Sequence, residues 1–474
     1  MEVTMMRRIT ALIVILLVYG HTAVCAEQYD EWYTEGNYIP STRIRLTLVN
    51  SLDIERENCP VVVGRNTLPF TNFGPRELVV VDPSLPPRPE PTREDKLQFG
   101  GHLPQGEKNG SYIHYQLDDI DRDGMWDELF FMTDLAPRET KTIFLYIGFN
   151  NRGLYPHKTF AAIGDYARHP VPMWESEYLT WKLFYPTNVD IQAKRELMLN
   201  GYYSLTMNMS GYHFEFDKGG DIMTVSTTFG GGGICLFEHP AYPDSVSRPR
   251  FSPWRKTGPV YDTRYVFDVV ASGPLRSIVR AHTLNWRTGN GEYELEQYYT
   301  AYANKNYSTC RVKYLKYLPV DERTAFGCGI RKIMYEDESI VEGGVVISNS
   351  YDMPVIDPNT ETIDRQRFIL DFAGIALIVK DKYRPEYQSV DAYMGNHTFR
   401  IPRTPDLSYE YLITAAWSEG PIAKTPQVFR EYVSVTAREY NNPVIVETPL
   451  LEKKDGKDVP IEYWGREEVH TLRD

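Results

Sequence analysis

The side chains best suited to chemistry crowd into residues 173–239. They are Trp174, Glu175, Glu177, Trp181, Lys182, Asp190, Lys194, Arg195, Tyr212, His213, Asp221, Glu238 and His239. Two glycine groups punctuate the stretch, Gly219-Gly220 and the run 230–233. No other part of the chain holds titratable groups, tryptophans and glycines so densely. The mixture fits one wall of a carbohydrate-binding cleft. Aromatic faces stack on sugar rings, charged groups bond hydroxyls, and glycine lets backbone approach a ligand closely. Glu175 and Glu177 share one face if the chain is extended there. That placement suits sugar binding or an acid/base pair, and it equally suits two exposed loop carboxylates. Asp221 either orients His213 or caps the turn after the glycines. Arg331, which follows Gly327-Cys328-Gly329, lines the opposite wall or forms a charge pair with Lys332 on an edge strand.

Several other chemistries lack their residues. No H-x-H or H-E-x-x-H spacing occurs among the 10 histidines, and no C-x-x-C among the 5 cysteines, so a zinc centre is not indicated. There is no G-x-S-x-G elbow, P-loop or dinucleotide fingerprint. The formal net charge of −13 comes without a basic run or basic-aromatic stripe, which argues against nucleic acid as a partner. A local Lys/Arg cluster can still receive an anionic ligand in an acidic protein.

The elements that must carry these groups read as strands. Of the 474 residues, 42% are hydrophobic and 34 are tyrosines, a residue that suits half-buried pleated surfaces. Residues 44–49 and 113–117 alternate apolar and polar, 141–147 do so less strictly, and 78–81 form a continuous apolar run. Together with the proline-rich crossing at 83–91 they predict an immunoglobulin-like β-sandwich over 27–150. Further strands are predicted at 181–185, 261–270, 277–282, 293–301, 310–318 and 375–379, with helical periodicity only around 425–440. An all-β unit of two large stacked sheets over 160–448 follows. Residues 449–474 are charged and poor in apolar groups, and are expected to be a tail. Residues 1–26 read as a secretory signal: Arg7-Arg8, an apolar stretch over 9–20, and a small-residue site at Ala26. The expected location is therefore secreted, periplasmic or at the cell surface, with no membrane span. Cys310 and Cys328 could pair in that compartment.

Within the first sandwich, Asp119, Asp121, Asp123 and Asp127 surround Gly124 in a D-x-D-x-D-G loop. Position twelve is Phe130 rather than the glutamate of a full calcium hand. The loop is either a short structural calcium site or a hairpin turn whose aspartates cap backbone N–H groups. No cofactor is required by the reading of the remaining residues.

The Asp119 to Glu128 loop, Leu135-Ala136-Pro137-Arg138, Trp174 to Glu177, Asp190 to Arg195, Tyr212-His213, Gly220-Asp221 and the glycine run occur in an order that resembles the domain-of-unknown-function 4861 family. The resemblance spans nearly the whole mature chain. It implies a secreted Bacteroidetes protein accompanying polysaccharide-degrading enzymes, and a galactose-mutarotase-like β-supersandwich after the first sandwich. It also implies kinship with an ulvan-pathway dehydratase acting on terminal uronic acids. The chain departs at Gln192-Ala193, where an aromatic residue and glycine are expected before Lys194-Arg195, so the substrate contact at that point is not carried over.

Elimination beside a uronate carboxylate needs a cation to neutralise that carboxylate, a base at C5 and an acid at the departing O4. Lys194 or Arg195 would supply the cation and His213 or Tyr212 the base, one of each pair if both lie on strands. Trp174, Glu175, Glu177, Asp221 and Arg331 would bind substrate. The expected function is a lyase or dehydratase of uronic-acid (ulvan-like) oligosaccharides, working as a monomer on an anionic glycan. A glycoside hydrolase using paired carboxylates and a non-catalytic glycan-binding protein remain open alternatives.

Overall fold

The computed structural model describes residues 31–454 except 39, 41, 100–104, 151–154, 167–168, 185–187, 202–217, 224, 226, 240, 243–244, 250–262, 355–368 and 393. The expected signal segment, Tyr212 and His213 therefore lie outside the described residues. The chain is all-β, as expected.

Its first part packs two sheets. Strands Ile445–Lys453, Thr42–Val49, Thr140–Ile147, Leu78–Asp82 and Ser111–Tyr112 form one, in that order. Arg56–Gly64, Glu128–Leu135 and Tyr115–Asp118 form the other. Alternation sends Ile44, Leu46 and Leu48 inward to meet Val61, Val63, Leu129, Phe131 and Leu145. The unbroken run at 78–81 is buried on both faces. Leu78 and Val80 enter this core, while Val79 and Val81 pack with Tyr33 and Tyr146.

The strand Ile445–Lys453 pairs antiparallel with Thr42–Val49, so residues 449–453 of the tail expected over 449–474 are strand, and residues 455–474 lie outside the described residues. The strand's charge does not keep it apart, because Glu452 is the partner of buried Arg43 and of Arg45, each at 2.5 Å.

The second part is larger. Eight antiparallel strands run in the order Arg264–Ser272, Arg276–Thr288, Gly291–Tyr302, Tyr307–Pro319, Ser408–Trp417, Ile369–Val379, Val345–Pro354 and Glu338–Glu342. Two smaller sheets share a core with this one. The five-stranded sheet contains Thr159–Tyr166, His169–Ser176, Leu179–Phe184, Asn188–Lys194 and Gly219–Asp221. The four-stranded sheet contains Gly233–Phe237, Ala325–Arg331, Asn396–Ile401 and Glu386–Val390. Between the layers lie Trp174, Trp181, Ile191, Leu236, Phe326, Ile330, Tyr299, Ile375 and Ile413.

The helix Pro426–Asn441 covers the other face of the eight-stranded sheet. Thr425 caps it by accepting from the Val428 N–H, Pro426 opens it, and Phe429, Val433 and Ala437 recur on one buried side.

The four described cysteines are buried and free, so the Cys310–Cys328 pairing is not formed. These two sit on facing sheets as packing groups, and burial pushes the Cys310 thiol up to about 12.

A polar chain around buried His397 and Ser348 closes one side of this sandwich. His397 joins Tyr387 Oη (2.8 Å) to Glu336 (2.6 Å), and the Ser348 hydroxyl bonds the same Glu336 oxygen. Burial would raise the Glu336 carboxyl, but its bonds to His397 and Ser348 hold it below the ordinary glutamate value of 4.5. A depressed folded pKa stabilises the fold above the unfolded value, and that contribution is lost as pH falls through the folded one. Thermal unfolding of Glu336→Gln between about pH 5 and 3 should therefore show a shallower acid decline than wild type. Parallel declines would remove Glu336 from the acid sensitivity of the fold.

Candidate functional site

The five-stranded sheet separates its side chains sharply. Leu179, Trp181, Leu183, Val189, Ile191 and Ala193 face the shared core. Their alternates line the opposite face, and register arranges them in rows across the strands. Glu175, Thr180, Gln192 and Asp221 are successive cross-strand partners in one row, and Met173, Lys182 and Asp190 form the next. Apart from half-buried Gln192, the polar members of this face are buried. A polar face that is buried rather than solvated must satisfy its groups internally or reserve them for a ligand.

At one end of the rows the groups are satisfied internally. Lys194 is fully buried, and its ammonium donates to Glu175, the Ser176 carbonyl and the Met198 carbonyl. All three of its donors are thereby used. Glu175 also accepts from the Thr180 hydroxyl and from the N–H groups of Asn200 and Gly201. Burial lowers the Lys194 pKa, against the pull of Glu175. This pair ties strand His169–Ser176 to Asn188–Lys194 and anchors the loop beyond it, so neither member has the freedom its proposed role in binding or proton transfer demands.

Arg195 is drawn elsewhere, pairing with Glu419 at 2.6 Å with its guanidinium over Trp417. Glu177 follows the end of the strand and turns away from Glu175. It accepts from the Asn304 N–H at 2.8 Å and pairs with Lys158 at 3.2 Å. Trp174 is a core residue, stacked on Tyr299 and bonded through Nε1 to Ser308, not a platform for a sugar ring. Trp174 is taken by the core, and Arg195 and Glu177 by ion pairs with other parts of the protein.

The other end differs. Lys182 pairs with Asp190 at 3.0 Å, and Asp190 also accepts from the Ile191 N–H. Asp221 accepts from the Met223 N–H at 2.7 Å. Arg331 lies at the end of its strand in the neighbouring sheet, where Asp221 and Asp190 exert the principal opposing charges on it. Burial still brings its pKa down to about 10, so it stays a cation at neutral pH. Arg248 packs over Phe229, bonds the Thr227 and Thr228 carbonyls, and reaches Asn188 at 2.6 Å.

The glycine run makes this junction. Gly231 N–H donates to Val189 O, and Arg331 N–H donates to Gly230 O, each at 2.7 Å, so the run threads between two strands from different sheets. Gly230 has φ +62°, and a Cβ there would come within 2.2 Å of Val189 O. The close approach anticipated for a ligand is thus made by the protein's own backbone.

Of the expected site residues, Asp221 and Arg331 are brought together, and Lys182 and Asp190 join them as principal members. The alternation of charged with large apolar residues at 181–183 and 189–191 was the available signal for the latter two.

The aspartate loop lies apart from these strands. Oxygens of Asp119, Asp121 and Asp127 fall within 4.8 Å of one another and could hold a cation, whereas Asp123 is not in the group. The same side chains already order the loop. Asp119 accepts from the N–H groups of Arg122, Asp123 and Gly124, Asp127 from Ile120 and Asp121, and Asp123 from Met125.

Comparison with known proteins identifies the family. The family model described as "Domain of unknown function (DUF4861)" matches residues 105–446. No curated protein matches. Among solved structures, an alpha-mannosidase from Enterococcus faecalis V583 is similar with a TM-score of 0.45 and 11% identity, over 88% of this chain and 46% of that one. A glycosyl hydrolase family 38 protein from Enterococcus faecalis is similar with a TM-score of 0.44 and 9% identity, over 85% and 47%. The chain spans about half the length of these structures. No described helix is long and apolar enough to cross a membrane.

Proposed function

The chain belongs to the domain-of-unknown-function 4861 family, and from that premise we propose that it is a secreted carbohydrate-active enzyme working from the polar face of the five-stranded sheet. The reading carried furthest is a lyase or dehydratase that eliminates at C4–C5 of uronic-acid-containing oligosaccharides. The supporting observation is the set of buried, charged groups on two neighbouring rows turned away from the core: Lys182, Asp190 and Asp221, with Arg331 beside them. A hydroxyl-rich ligand needs donors and acceptors side by side, and these residues supply both.

In this reaction a base removes the C5 proton. The released electron pair forms the C4=C5 bond, and O4 departs with a proton from the acid, as water or as the hydroxyl of a neighbouring sugar. The cation beside the carboxylate stabilises the enolate-like charge that develops. Lys182 is held by Asp190, so the role expected of Lys194 or Arg195 passes to Arg331. Asp190 and Asp221 would accept from ring hydroxyls. His213, with Tyr212 as its alternate, remains the proposed base. A calcium ion in the Asp119–Asp127 loop would be structural, and no step uses it.

The test is near-ultraviolet absorbance of the mature protein with a panel of uronic-acid oligosaccharides, because the new double bond is conjugated to the carboxyl. Rising absorbance is expected, with roughly a hundredfold or greater loss of rate in His213→Ala. New reducing ends without absorbance would transfer the proposal to hydrolysis, with Asp190 and Asp221 as the carboxylate pair. Glycan affinity without either product would leave a binding protein.

A further inference from the structure

Arg331 is 5% exposed and ends a strand whose Phe326, Cys328 and Ile330 face the core. Alternation therefore turns its side chain away from the shared core, where Asp221 and Asp190 act on its charge. Its Nε donates to the Lys332 carbonyl at 3.0 Å, which fixes the plane of the guanidinium. Its Nη1 is buried and has no hydrogen-bond partner among the described residues.

Among the described residues, buried Arg56 leaves its inner Nε without a partner, whereas Arg331 leaves a terminal nitrogen of the fork. The terminal nitrogens of Arg56 meet the Asn442 and Glu439 carbonyls, and those of Arg248 meet the Thr227 and Thr228 carbonyls and Asn188. A buried donor left without an acceptor costs free energy, more so on a charged group, and is unusual outside a site that a ligand completes. Lys182 does not present the same case, because Asp190 already pairs with it at 3.0 Å.

We propose that Arg331 reads the charge of the ligand: its guanidinium takes the free carboxylate of a sugar acid seated on the polar face between the five-stranded and four-stranded sheets. This rests on the carbohydrate reading above and names its specificity determinant. The planar fork matches a carboxylate through two parallel N–H bonds, which an ester can accept only weakly and a neutral hydroxymethyl group cannot reproduce. Asp190 and Asp221 favour the charged form of Arg331 without closing a direct ion pair on it, so the fork remains available.

The experiment is equilibrium binding of the methyl glycoside of 4-deoxyglucuronic acid, which has no group to eliminate, and of its carboxyl methyl ester. Wild type, Arg331→Met and Arg331→Lys are compared. Wild type should favour the acid by roughly tenfold to a hundredfold, the ratio expected of a charge-assisted bond. Arg331→Met should lose that preference while holding the ester as wild type does, and Arg331→Lys should keep part of it.

Arg331→Met breaks no side-chain ion pair, and its melting temperature reports that it folds. If it does not, Arg331→Lys carries the test, and a full wild-type preference there overturns the forked contact. An acid preference that survives in Arg331→Met overturns the assignment of Arg331 alone, provided wild type still turns over uronates. Wild type that neither discriminates nor acts on any uronate overturns the carbohydrate reading and this inference with it.

Discussion

Lys194→Met is expected to destabilise the protein by about 3–5 kcal/mol, the cost of leaving one member of a buried ion pair without the other. The loss should be large because Glu175 is the acceptor around which Thr180, Asn200 and Gly201 are arranged. Without Lys194 that carboxylate is a buried charge held only by neutral donors. The double variant Lys194→Met/Glu175→Gln should recover part of the stability, since the amide keeps an acceptor oxygen while removing the charge. The cycle then yields a favourable coupling between the two sites.

Urea denaturation of the four proteins measures this directly. A catalytic Lys194 would behave in the opposite way: unchanged unfolding and abolished turnover. A single variant that unfolds with wild-type midpoint would sink the structural assignment.

The second large effect is expected at Arg276, which joins the first sandwich to the eight-stranded sheet. It bonds Asp118 at 2.5 Å and Glu128 at 2.7 Å and lies over Phe130. Gln116 secures the same corner by accepting from the N–H groups of Leu275 and Arg276 and donating to the Arg276 carbonyl. Burial opposes the Arg276 charge, yet Asp118 and Glu128 hold its pKa above the ordinary value.

Arg276→Met leaves both carboxylates without their cation and should cost about 3–5 kcal/mol. Because the lost contacts span two separate hydrophobic cores, the cost should fall on their coupling. Calorimetry of the variant should resolve a lower transition for the first sandwich, ahead of the second. One transition at the wild-type temperature would show that the junction is held by other contacts.

Both predictions concern charged residues whose burial had no sequence signature. Lys182 and Lys194 are each a lysine in or ending a short strand. One flanks the candidate site and the other is sealed within the sheet, because Glu175 lies opposite only one of them. Trp174 and Glu175 are adjacent and both were expected in the cleft. Alternation put Trp174 in the core, and a salt bridge claimed Glu175.

Arg331 reads from the sequence as lining the opposite wall of the cleft or as part of an edge-strand charge pair with Lys332, and it lies on a different sheet from Asp190 and Asp221. Nothing along the chain measures their approach, which depends on the glycine run passing between Val189 and Arg331. Near 450 charge does not mean solvation, because Arg43 and Arg45 provide the partners of Glu452.

The all-β character, the helical periodicity around 425–440, the run at 78–81 buried on both faces, and the family were legible along the chain. These rest on local periodicity, turn chemistry and motif order, which neighbouring residues set among themselves. Strand register and sheet packing settle which charged side chains pair with one another and leave the terminal Nη1 of Arg331 without a partner among the described residues. A charge buried between sheets takes its meaning from partners brought in by strand register and sheet packing, and those partners lie far away along the chain.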